Sequence, residues 1–188
     1  MSTFRPHVLG IDDAPFEKGQ PDEVPIVGVM MEGASLVEGV AVERFPVDGE
    51  DATGFLAAWV SGLRWHTALQ AVVLGGVTLA GLGLVDLRAL AERLGTPVLA
   101  VTRRDTARSE LAGALRTAGL AERIAILERT PPARRMHDGL YVAAAGVEAA
   151  EAERILRASL NKANLPEPLR VAHLIGAALV KGQSRGRV

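Results

Sequence analysis

The order of the apolar segments constrains this chain most. Three β-like runs come first with no helix between them: Val8-Leu-Gly-Ile11, Val24 to Met31, and Ser35 to Val47. The first is a short apolar run ending in Asp12-Asp13, with Pro15 just beyond. Gly33 and the polar residues around it supply a turn between the second and third, and Asp48-Gly49 ends the third, whose Val40, Val42, Phe45 and Val47 alternate only in part. Helix and strand then take turns. Phe55, Leu56, Trp59, Val60 and Leu63 share a helical face, and Ala71-Val-Val-Leu74 is a fourth strand running into Gly75-Gly76. Leu84, Leu87, Leu90, Ala91 and Leu94 outline a helix stopped by Gly95 and Pro97. Val98-Leu-Ala-Val101 is a fifth strand, and Ala107 to Ala118 a helix closed by Gly119. Ile124 to Leu127 and Leu140 to Ala144 are expected as strands around the Pro131-Pro132 loop, and Val147 to Leu160 as an Ala/Glu-rich helix.

This order predicts an α/β fold: a mixed sheet with helices on both faces, which a ribonuclease H-like arrangement fits. The strand bearing Asp12 should be central, with the strand ending at Gly75 beside it and parallel. Ligands of open sheets gather beyond the carboxyl ends of the parallel strands, where Asp12-Asp13, Gly75-Gly76 and Arg103-Arg104 would all sit. At 188 residues, with no repeat and no linker, the chain reads as one domain over residues 1–180. The polar tail, 181–188, is expected to be disordered.

Hydrophobic residues make up 48% and aromatics only 4%, so the core must be built of Val, Leu, Ala and Ile. The absence of cysteine excludes disulfides and any thiolate ligand or nucleophile. A net charge of −1 gives no bulk signal for nucleic acid, although an enzyme that engages a few phosphates locally does not need one. Arg5 and His7, with no long apolar run near them, predict neither a signal peptide nor a membrane span, hence a soluble cytoplasmic protein without a membrane partner.

Near the end, Leu165-Pro-Glu-Pro-Leu-Arg-Val-Ala-His-Leu-Ile175 starts a helix in which Pro168 suits the first turn. From Leu169 to Val180 the residues are apolar on every side apart from Arg170 and His173, so a largely buried helix is expected. These two lie three apart on one face, and Glu167 is three before Arg170. Buried charge must be paired or bound. Two readings stand: an internally salt-bridged helix, or a polar site facing a metal or an anion.

Other polar groups divide the same way. Of Asp12-Asp13, adjacent on a strand, normally one enters a given site. A carboxylate at a strand end can start a Mg²⁺ site, or simply begin a turn. Asp48 and Asp51 can serve a turn and a helix cap, or bind a hard cation. Asp86 suits the dipole at its helix start. Gly75-Gly76 with Gly81 and Gly83 permits close approach of a phosphate but matches no dinucleotide or Walker spacing. Arg103, Arg104 and Arg108 are surface charge or phosphate contacts. His66 and His137 read as surface residues.

Four stretches together resemble the endonuclease dU family, which is distantly similar to endonuclease V: Gly10-Ile-Asp-Asp-Ala-Pro-Phe16, Val47-Asp-Gly-Glu-Asp-Ala-Thr53, Gly75-Gly-Val-Thr-Leu-Ala-Gly81 with Val85-Asp86, and Pro166-Glu-Pro-Leu-Arg-Val-Ala-His173. The resemblance runs from about Val8 to Leu179. It implies a ribonuclease H-like fold and Mg²⁺- or Mn²⁺-dependent cleavage of DNA, deaminated or single-stranded, with deoxyuridine the foremost target. Carried over by position, Asp12, Asp51, Glu167 and His173 would be catalytic. Asp12, Asp13 and Asp51 would hold the metal, and Arg103, Arg104 and Arg170 would contact substrate. Asp12, Asp51 and the Glu167/Arg170/His173 element should then meet in one cleft. Three positions depart from the family pattern: Gly75 stands where an aspartate is usual, Glu32 for an arginine before Gly33, and Gly83 for an asparagine. Losing a carboxylate at Gly75 predicts a weakened enzyme. The competing readings are a non-catalytic nucleic-acid or nucleotide binder on the same fold, and a domain with a structural or partner-binding role.

Overall fold

A computed structural model describes residues 4–17, 19, 22–105 and 107–184. The opening run forms a meander of β1 (His7–Asp13), β2 (Glu23–Glu32) and β3 (Leu36–Pro46), with Gly33 in the left-handed region (φ 61°) where the chain turns after β2. Then come α1 (Ala52–Ser61), β4 (Ala71–Leu74), a small hairpin of β5 (Thr78–Leu79) and β6 (Gly83–Leu84), α2 (Leu87–Leu94) and β7 (Val98–Thr102). The chain continues through α3 (Arg108–Thr117), α4 (Ile124–Arg129), β8 (Arg134–Arg135), β9 (Tyr141–Ala145), α5 (Ala149–Ser159) and α6 (Glu167–Lys181).

Seven strands make one mixed sheet in the order β3-β2-β1-β4-β7-β9-β8. β1, β4 and β7 are parallel neighbours, and every other pairing is antiparallel. The Asp12 strand is therefore central with β4 parallel beside it, as its apolar sequence requires of a strand covered on both faces. Alternation along β1 sends Leu9 and Ile11 to one face, with Leu56 and Val60 of α1 and Leu87 and Leu90 of α2. Val8 packs on the other face with Val73, Leu99, Ile155 of α5 and Leu169 of α6. Val27, Val29 and Met31 of β2 join Ala172 of α6 there.

Four expectations change. Ile124–Leu127 is not a strand but the start of α4, because Leu127 joins Leu115 of α3 and Leu84 in a separate small core. A four-residue apolar run carries no period of its own to separate the two. Leu84 belongs to the β5–β6 hairpin, and Asp86 is the N-cap of α2, its carboxylate accepting from the Arg88 and Ala89 N–H groups. Helix α6 is buried along one side only: it packs on β1 and β2, and beyond them Leu179 and Val180 are exposed. Lys181 closes α6, followed by Gly182 in a left-handed C-cap, so the chain remains ordered into the expected tail; residues 185–188 lie outside the described residues. Among the described residues no helix is long and apolar enough to cross a membrane.

Candidate active site

The contact between β1 and α6 has almost no thickness. A Cβ at Gly10 would lie 2.2 Å from the carbonyl carbon of Pro168, so only glycine lets the first turn of α6 rest on the strand. One helical turn further along, His173 faces Asp12, the next residue of β1 on that side. His173 Nδ1 lies 2.8 Å from Asp12 Oδ2. The Asp12 side chain is 18% exposed and that of His173 56%. His173 is held above its ordinary value, first by the hydrogen bond to Asp12. Burial and the Arg103 charge oppose this, while the charges of Asp12 and Asp13 add to it.

Asp13 points to the other face and is pushed up to about 6, by burial first and the Asp12 charge second. Backbone hydrogen bonds at Asp13 and Ala80, and the nearby His173, work against this. Asp12, Asp13, Leu74, Gly75 and Thr78 line one small strand-end pocket. Gly75 faces Asp12 directly: a Cβ there would lie 2.9 Å from Asp12 Oδ1. The carboxylate of Asp12 fills the room that a side chain at position 75 would take.

The remaining expected residues are engaged elsewhere. Asp51 caps α1, its Oδ1 accepting from the Gly54 N–H at 2.9 Å, and it does not line the pocket of Asp12 and Asp13. Asp48 accepts from the Leu82 N–H at 2.7 Å, tying the loop before α1 to the β5–β6 hairpin. Glu167, 5% exposed, receives Arg170 at both carboxylate oxygens, with Arg170 Nε 3.0 Å from Oε1 and Nη2 2.7 Å from Oε2. The salt-bridged reading of that pair therefore holds, while His173 turns to Asp12. Arg103 and Arg104 are exposed beyond β7, and Arg103 is close enough to act on His173. Arg108 leaves this basic group and donates to the Thr130 carbonyl oxygen. His66, expected at the surface, buries its Nε2 without a partner among the described residues.

A divalent cation needs several hard oxygens in reach of one point. Asp12 is held by His173, Asp13 turns to the opposite face, Glu167 clamps Arg170 and Asp51 caps a helix. Among the described residues no three His, Asp or Glu side chains lie together in a way that could hold a metal ion. This arrangement does not fit a preassembled divalent centre.

The family model for endonuclease dU matches residues 5–180. The chain belongs to the endonuclease dU family. Among curated relatives of this endonuclease dU chain is a UPF0215 protein of Deinococcus radiodurans, 38% identical over 183 residues that cover 96% of this chain and 92% of the relative. Another, from Methanothermobacter thermautotrophicus, is 36% identical over 183 residues, covering 95% and 90%. A crystal structure of a protein of unknown function from Archaeoglobus fulgidus superposes with a TM-score of 0.84 at 33% identity, covering 92% of this chain and 97% of that one. Endonuclease V of Ciona intestinalis, solved in complex with DNA containing an inosine followed by a ribo-adenosine, gives 0.59 at 15% identity, covering 95% and 87%. At that identity the likeness is one of fold, which this endonuclease dU chain shares.

A second cavity at this end of the sheet, lined in part by Gly75, Gly76, Arg108 and three threonines, has no signal in the sequence. Thr78, Thr102 and Thr130 come from three separate segments and meet only through the sheet and the helices beside it. No spacing in the sequence signals them.

Proposed function

We propose that this chain, as one ribonuclease H-like domain over residues 1–180, engages DNA containing deaminated bases, deoxyuridine foremost, and cuts it slowly. The observation that carries the reading is the Asp12–His173 pair at the open end of the central strand, in a member of the endonuclease dU family. Asp12 accepts from Nδ1 and so leaves Nε2 of the half-exposed imidazole to meet a phosphodiester. Held above its ordinary value, His173 keeps its proton to higher pH than a free imidazole and can donate it to a phosphate oxygen or a leaving oxygen. Arg103 and Arg104, exposed beyond β7, add positive charge for the DNA backbone. Slow turnover follows from Gly75, which sets no second carboxylate opposite Asp12.

A second reading, a DNA binder without catalysis, is favoured by one observation: the carboxylates of the site are engaged by protein partners. An incision assay decides. Labelled single and double strands with one dU are incubated with wild type, Asp12→Asn and His173→Ala, in chelator, Mg²⁺ or Mn²⁺. Slow incision by wild type that both substitutions abolish supports the endonuclease. Binding without incision by any protein assigns the binder. Absence of both sinks either reading.

A further inference from the structure

Among the described residues, six large aliphatic side chains are about half exposed, and all six lie on two elements: Leu36, Val37, Val40 and Val42 on β3, Leu179 and Val180 at the end of α6. Single apolar residues are ordinary at a surface, whereas a gathered set marks a contact. β3 is also the edge of the sheet, so one side of its eleven-residue backbone has no strand beside it among the described residues. Edges are commonly blunted by charge or proline, yet Gly39-Val40-Ala41-Val42 carries neither. The one irregularity against β2, a bulge at Met30 and Met31, lies before that stretch. Val37, Val40 and Val42 stand opposite Met31, Val29 and Val27, which pack with Ala172 of α6. Residues directly opposite share a face, so the three valines lie on the α6 side of the sheet. Helix α6 covers β1 and β2 and leaves these valines open. Val171 and Ile175 pack on the same cluster from the flank of α6, and Leu179 follows one turn later.

We propose that a second copy of this chain covers the face, β3 pairing antiparallel with β3 across a two-fold axis at Ala41. The strand is self-complementary about that residue. With Ala41 against Ala41, Val40 of each copy meets Val42 of the other on one face, and Arg44 comes level with Glu38. No like charges are opposed. A shift by two residues in either direction sets Glu38 or Arg44 against a valine instead. Glu38 is already held by His7, Nε2 to Oε2 at 3.0 Å, so Arg44 favours the register by its charge and needs no new hydrogen bond. Such symmetry is what an isologous contact requires, and a different partner gives no cause for it. An axis perpendicular to the sheet puts both α6 helices on one side, and the valines of the two copies close together between them. β1 and β3 run the same way, each being antiparallel to β2. The two-fold axis reverses that direction, so the two Asp12–His173 sites open at opposite ends of the joined sheet and neither is covered.

The test is sedimentation equilibrium of the full chain over a concentration series. Wild type should reach twice the mass of the chain by about 50 μM. Val40→Lys with Val42→Lys sets cation against cation at both pairs and should weaken the dimer about a hundredfold or more. Val40→Lys with Val42→Glu sets each new cation against the other copy's new carboxylate, and should bring the dimer back to within about tenfold of wild type. Both variants change the same exposed positions, so the second controls for folding of the first. If either fails to fold, hydrogen exchange of wild type carries the test: amides within Gly39–Glu43 should be better protected at high concentration than at low. A wild-type monomer overturns the inference and leaves the face to a different occupant. So does a dimer that the double-lysine variant retains, which places the contact elsewhere. A charge-paired variant as weak as the double-lysine one, or amide protection that ignores concentration, overturns it too.

Discussion

Gly10 lies under Pro168 with no room for a methyl group, and this contact sets the distance between Asp12 and His173. Gly10→Ala would put a Cβ 2.2 Å from the Pro168 carbonyl carbon, so α6 must lift from β1. Overpacking of this kind costs roughly 1–3 kcal/mol or more. The expected outcome is a lower Tm together with loss of the raised His173 titration, read by denaturation and by NMR of the imidazole. An unchanged titration would mean that α6 is placed by other contacts.

Asp12→Asn removes the charge and the strongest acceptor facing His173. Because His173 is raised above its ordinary value in the folded state, the pair contributes stability in full below about pH 6.5 and loses it as pH rises through the raised value. Asp12→Asn should bring the imidazole titration back toward the ordinary histidine range and flatten the pH dependence of stability there. The half-exposed ring makes the stability effect small, so the NMR titration is the decisive measurement.

Asp13 behaves oppositely to a paired carboxylate. Its folded value of about 6 lies above the ordinary 3.8, so the folded state binds the proton more tightly and stability falls as pH rises between the two. Asp13→Asn should stabilise the protein at pH 7–8 by on the order of 1–2 kcal/mol and do nothing of the kind at pH 4. Urea denaturation at both pH values checks it; equal effects at both would assign the gain to packing instead of charge.

Gly75→Asp brings a second carboxylate against Asp12 Oδ1. Without a cation the two like charges should lower stability by roughly 1–2 kcal/mol, at about 2–4 °C of Tm per kcal/mol for a chain of this size. Added Mn²⁺ should then raise the Tm of Gly75→Asp more than that of wild type, because binding to the folded state alone stabilises it. Identical Mn²⁺ responses would show that position 75 does not face a cation site.

Breaking the Glu167–Arg170 pair tests its structural role. Arg170→Ala leaves a carboxylate 5% exposed without its bidentate partner, which should cost about 3 kcal/mol. Arg170→Ala that melts like wild type would release Glu167 for a functional role.

The central place of the Asp12 strand, with the Gly75 strand parallel beside it, was legible in the sequence because burial on both faces demands continuous apolar runs such as Val8–Ile11 and Ala71–Leu74. The Glu167–Arg170 pair was legible as one of two readings, since residues three apart on a helix lie within reach of each other. Spacing along one element is a local property, and local chemistry fixes it. The Asp12–His173 contact joins residues 161 positions apart, and no local period encodes such a distance. Neither did any period show that Asp51 would spend its carboxylate on a helix cap, or that Ile124–Leu127 would coil against Leu115. Tertiary packing decided these, because a side chain's partner depends on which elements the core brings together. The clearest case is Gly75: its sequence shows only a missing carboxylate, whereas the fold shows Asp12 lying in the space that the missing group leaves open.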